Sequence, residues 1–69
     1  MTGHELRLLR ALCWRGPIFA ADLQFMIGRR QALAMADARR LVRDGYVERS
    51  GQQFRITDAG RDMVEALTP

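Results

Sequence analysis

The stretch Arg29-Arg30-Gln31-Ala32-Leu33-Ala34-Met35-Ala36-Asp37-Ala38-Arg39-Arg40-Leu41-Val42-Arg43, closed by Asp44-Gly45, is the segment around which the rest of the chain arranges itself. Wound at about 100° per residue, it places Ala34, Ala38 and Leu41 on one side and Arg29, Ala32, Ala36, Arg39 and Arg43 on the other. The apolar side can hold the helix against a core. The opposite side, arginines flanking two alanines, suits close approach to a negatively charged surface.

Working outward, Leu23, Met26 and Ile27 give i, i+3, i+4 spacing for a short preceding helix, and Gly28 ends it. A short helix, a tight turn and a longer arginine-bearing helix make a helix-turn-helix in outline. Downstream of Gly45, Tyr46-Val47-Glu48-Arg49 and Gln53-Phe54-Arg55-Ile56 read as two strands around Ser50-Gly51-Gln52. A turn at Ser50-Gly51 would set Val47 opposite Phe54 and Arg49 opposite Gln52; a turn at Gly51-Gln52 is the alternative register. Ile18-Phe19 is the one apolar, β-favouring pair between helical segments and can add a residue or two to a sheet.

At the N-terminus, Thr2-Gly3-His4-Glu5 has the capping-box arrangement. Leu6, Leu9, Leu12 and Cys13 then recur at helical spacing until Gly16-Pro17 stops the run. Trp14 is expected as a core or domain-edge aromatic. At the other end, Thr57 is the expected cap of a last helix in which Ala59, Met63, Ala66 and Leu67 share a face. Gly60 costs that helix about 1 kcal/mol relative to alanine, which implies close packing there.

A chain of 69 residues has room for one domain, with a core that supplies only a few kcal/mol of net stability. All eleven basic residues are arginine, and guanidinium forks pair bidentately with phosphates and base edges. Charge is unevenly spread: residues 29–56 hold seven arginines against three acids, whereas residues 57–69 hold one arginine against three. The excess lies on the third helix and the hairpin, with Asp37 and Asp44 lowering it locally.

One cysteine excludes an internal disulfide, and Cys13 with a single histidine, His4, cannot assemble a zinc site. Cys13 reads as a small buried hydrophobe and His4 as a solvated side chain near a helix start. No nucleophile, base and orienting group occur together, so an enzyme is not expected, and neither is a cofactor. Asp58, Asp62 and Glu65 read as a solvated acidic face. No apolar run approaches the ~20 residues of a membrane span, and the N-terminus lacks a secretory signal; the expectation is a cytoplasmic protein.

Taken in order, Ile27-Gly28, then Leu41 and Asp44-Gly45-Tyr46-Val47-Glu48-Arg49, then Phe54-Arg55-Ile56-Thr57-Asp58-Ala59-Gly60 resemble the pattern of winged-helix DNA-binding domains of small bacterial and phage transcriptional regulators. The resemblance covers most of the chain. It implies a mainly α fold with a small β-hairpin (α+β): a three-helix core, a two-stranded wing and a C-terminal helix, in one domain over residues 1–69.

It also implies a duplex-DNA-binding transcriptional regulator, a repressor or accessory regulator, associated with the nucleoid when bound. The third helix would enter the major groove, and the wing would reach the backbone or minor groove. Arg29, Gln31 and Arg39 are the expected base readers, and Arg30, Arg40, Arg43 and Arg49 the expected phosphate contacts. Ala32 and Ala36 would sit close to the groove floor, and Gln52 near the wing tip. A homodimer would present two such helices about 34 Å apart. The alternative is a protein-interaction module of the same fold, docking a partner through Leu33 and Met35 on the third helix.

Overall fold

Thr2 caps the first helix, α1 (Gly3–Arg15), its hydroxyl accepting from the Glu5 backbone N–H at 3.1 Å in a computed structural model that describes residues 1–68. The Glu5 carboxylate does not simply close the capping box. It is buried, accepting from the Thr2 hydroxyl at 3.3 Å and from Arg40 Nε at 2.9 Å. With Glu5 turned inward, the buried stripe of α1 is Glu5, Leu8, Leu9 and Leu12, while the expected Leu6 and Cys13 are only half-buried. Each of those fully buried leucines contributes about 1.5–3 kcal/mol relative to an exposed one.

Past Gly16, the pair Ile18–Phe19 forms a strand, β1, and Ala20–Asp22 form a turn of 3-10 helix leading into α2 (Leu23–Ile27). After α3 (Gln31–Arg43), β2 (Val47–Ser50) and β3 (Gln53–Ile56) form the hairpin, and α4 (Asp58–Ala66) closes the domain. The sheet therefore has three antiparallel strands in the order β1-β3-β2, one more than a bare wing. Ile18 pairs with Phe54 and Phe19 with Gln53, and the Ala20 N–H donates to the Gln52 carbonyl at 2.7 Å. This ladder fastens the turn end of the hairpin to the segment before α2.

The hairpin takes the second of the two expected registers. Val47 faces Ile56, Arg49 faces Phe54 and Ser50 faces Gln53, which leaves Gly51-Gln52 as the turn. Gly51 has φ +61° and no non-glycine residue among those described has positive φ, so within the turn only the first of the two residues has positive φ, as in a II′-type hairpin. The register also brings Val47, Phe54 and Ile56 onto one face, all buried. Pairing Val47 with Phe54 would instead have left Ile56 without a partner in the strand.

Thr57 caps α4, accepting from Gly60 N–H at 3.1 Å and donating to the Gly45 carbonyl at 2.7 Å. Gly60 is where the helix meets the start of β2. A Cβ there would collide with the Tyr46 carbonyl oxygen and stand 2.6 Å from Ile56 Cγ1. That approach fixes the rotation of α4: Gly60 and Val64 are buried and Met63 half-buried, while the expected Ala59, Ala66 and Leu67 are exposed. Trp14, expected at the core or its edge, points to solvent at 89% exposure. The core lies between α1, α3 and the sheet, with Leu23 and Ile27 of α2 and Val64 of α4 closing its sides.

Candidate nucleic-acid interface

α2 ends on Gly28 in the left-handed conformation (φ 64°, ψ 38°), whose N–H returns to the Gln24 carbonyl. A Cβ-bearing residue would be strained there. The chain crosses in Arg29 and Arg30 and enters α3 at Gln31. The Gln31 side chain then reaches back: its amide donates to the Ala20 carbonyl at 2.6 Å, and its carbonyl accepts from Gln24 N–H at 3.3 Å. Both ends of that amide are thus engaged inside the domain, and the residue expected to read bases fastens the start of α3 to α2.

Two further expected contact residues are also turned inward. Asp37 has no exposed surface; its Oδ2 accepts from Arg29 Nε at 2.9 Å, and its Oδ1 accepts from Arg40 Nη2. Arg40 in turn holds Glu5 of α1. The four residues Glu5, Arg40, Asp37 and Arg29 tie α1, α3 and the turn before α3 together, with two acids balancing two guanidinium groups. Among the described residues, no buried side-chain nitrogen or oxygen lacks a hydrogen-bond partner. The expectation that Asp37 merely dilutes surface charge is therefore corrected: it is an internal anion that pairs with Arg29 and shares Arg40 with Glu5.

A sign of this stands in the sequence. Ala34, Asp37, Ala38 and Leu41 form an i, i+3, i+4, i+7 stripe, so Asp37 occupies the middle of the buried side of the helix. A carboxylate in that place requires charged donors aimed at it. Arg40, one turn along, and Arg29, before the helix, supply them.

What remains on the outer side of α3 is simpler. Arg30, Ala32, Arg39 and Arg43 are exposed and Ala36 is half-buried. Arg30 and Arg39 make no ion pair among the described residues. Among the described residues, Arg43 meets only the exposed Asp44 carboxylate at 3.1 Å, a contact that water screens strongly. At the hairpin, Arg49 Nε donates to the Gly51 carbonyl at 3.0 Å while its guanidinium lies 5.2 Å from the centroid of the Phe54 ring. That cation–π contact fixes a positive charge close to the exposed Gln52. Leu33 is 43% exposed, but Met35 packs against the core, so the pair does not form a joint apolar surface for a protein partner.

A short helix, a glycine turn, a longer helix with an outward cationic face and a β2–β3 hairpin whose turn end is paired with β1 make up the arrangement. No protein-family model matches the sequence, and no curated protein matches it. Solved structures do. BpsR of Bordetella bronchiseptica, whose DNA binding is regulated by 6-hydroxynicotinic acid, superposes with a TM-score of 0.91 over 97% of this chain at 23% identity. Rv1404 of Mycobacterium tuberculosis superposes with a TM-score of 0.87 over 94% of this chain at 26% identity. The fold is a winged helix. This winged helix corresponds to about half of each matched chain, 52% and 49% respectively. The superpositions span nearly the whole of this chain, and identities this low carry the fold and not the chemistry of the outer residues. No helix among the described residues is long and apolar enough to cross a membrane.

Proposed function

We propose that this winged helix binds duplex DNA and acts in transcriptional regulation as a repressor or accessory regulator, working in the cytoplasm on nucleoid DNA. The observation that carries the reading is the outer face of α3, where Arg30, Arg39 and Arg43 have no buried ion-pair partner among the described residues and surround the small Ala32 and Ala36. Small side chains let a helix sit deep in the major groove, and alanine methyls can meet thymine methyls. Arg39 is the base reader in this reading, Arg30 and Arg43 bind phosphates, and Arg49 with Gln52 brings the wing to the backbone or minor groove. Arg29, Gln31 and Arg40 act one step removed, by holding α3 at its angle. BpsR, with the same fold, is a DNA-binding protein under small-molecule control, which supports a regulator.

Selection from random duplex DNA at two salt concentrations tests the proposal. An enriched site, with an affinity that falls as salt rises by about 0.9 logarithmic units per phosphate contact, is the expected result. Retention that neither enriches a sequence nor responds to salt would overturn it.

A further inference from the structure

The most open apolar surface lies away from α3 and the wing, where α1 meets α2. Trp14 is 89% exposed and Phe25 76% exposed. With Ala11 and Met26 they line a groove of about 370 Å³ bordered by Arg7, Arg10 and Arg15. Bulky aromatic side chains beside arginine are the combination that anchors protein interfaces, and a monomer gains nothing by leaving them in water.

The complement to that groove is carried by the same chain. α4 presents Asp58, Asp62 and Glu65 along one exposed side, with the exposed Ala59 and Ala66 on one flank and the exposed Arg61 on the other. Three carboxylates against the single Arg61 leave this side of α4 net negative, opposite in sign to the groove, and two alanine positions leave room for two large rings. Arg7 already donates to the Ile27 carbonyl at 3.4 Å, which leaves Arg10 and Arg15, without ion-pair partners among the described residues, as the arms that would reach across. We propose that two copies of this chain associate with α4 of each lying in the α1–α2 groove of the other. Each copy has one groove and one α4, and a two-fold pair in which both contacts are made would close, whereas a single contact repeated head to tail would not. The outer face of α3 and the wing take no part in it, and the association does not depend on DNA binding.

The test uses the whole chain without DNA. Trp14 is its only tryptophan, so fluorescence reports directly on the groove, and sedimentation equilibrium reports the number of chains. The expected result is a dimer whose tryptophan emission moves to shorter wavelength as concentration rises and returns as salt is added. Two charge-reversed variants sharpen it: Arg10→Glu with Arg15→Glu, and Asp62→Lys with Glu65→Lys, all at exposed positions whose helicity is checked by circular dichroism. Each variant alone should associate at least about tenfold more weakly, because groove and helix then carry like charge. Mixed in equal amounts they should restore the pair, since each supplies the partner the other lacks. A wild-type chain that stays monomeric at every accessible concentration, variants that dimerise unaided, or a mixture that fails to associate would each overturn the proposal.

Discussion

Arg29 reaches over the turn before α3 to Asp37, its Nε 2.9 Å from an oxygen of a carboxylate that has no exposed surface. The turn of the helix-turn-helix is therefore pinned from below by an ion pair as well as from behind by Gly28. Arg40 occupies the other oxygen of Asp37 and extends the link to Glu5 of α1.

Asp37→Ala should be among the most damaging single changes in the protein. It strands two guanidinium groups, one of them 23% and the other 39% exposed, beside an emptied site. Removing one partner of a buried pair typically costs about 3–5 kcal/mol, and the part of each arginine that meets water places this case toward the lower end. In so small a domain that is a large share of the total stability. Urea denaturation of the variant should show a midpoint far below that of the wild type, with Arg29→Ala milder because Asp37 keeps Arg40.

The helix of Gln31–Arg43, though not its extension back to Arg29 and Arg30, the caps Thr2 and Thr57 and the two strands were legible in the sequence because each depends on neighbours within a few residues. The register of the hairpin was not, since Ser50-Gly51 and Gly51-Gln52 both place a glycine in the turn; the choice falls to the burial of Ile56 against the core. The rotation of α4 was hidden for a similar reason. Periodicity counts glycine as neutral, yet Gly60 faces inward because the Tyr46 carbonyl takes the space of its missing Cβ. At the candidate interface, sequence located the right helix but could not separate arginines facing out from those turned toward Asp37, a distinction that rests on contacts such as Arg40 with Glu5, 35 residues apart.

Gly60→Ala follows from the same geometry and runs against helix propensity. Alanine at an ordinary helix position would be more favourable than glycine by about 1 kcal/mol. Here the added methyl meets backbone, which cannot swing aside as a flexible side chain would, and overpacking of this kind costs about 1–3 kcal/mol. The variant should melt at a lower temperature than the wild type. An unchanged or raised midpoint would mean that α4 does not approach β2 as closely as described.

Arg43 and Arg40 lie on the same helix but should behave differently in DNA binding. Arg43→Ala removes an exposed charge whose only partner among the described residues is an exposed carboxylate, so the fold is retained and the log–log salt slope becomes shallower by about 0.9. Arg40→Ala breaks the link from Asp37 to Glu5, and its main effect should appear as lost stability in denaturant. Salt titrations alongside unfolding curves for the two variants distinguish a contact residue from a supporting one.

Gln31 and Arg39 give the sharpest comparison, because both were expected to read bases. The Gln31 amide is engaged with Ala20 and Gln24, whereas Arg39 is exposed and makes no ion pair among the described residues. Gln31→Ala removes two hydrogen bonds and should cost about 1–3 kcal/mol of stability, with the selected DNA sequence unchanged. Arg39→Ala should leave stability within about 0.5 kcal/mol of wild type. It should instead lower affinity for the selected site by about 1–3 kcal/mol, with relaxed preference at one base pair and little change elsewhere in the site. Binding each variant to the selected site and to single-base variants of it separates the two roles. If Gln31→Ala alters the preferred base while Arg39→Ala does not, the outward face of α3 is not the reading surface.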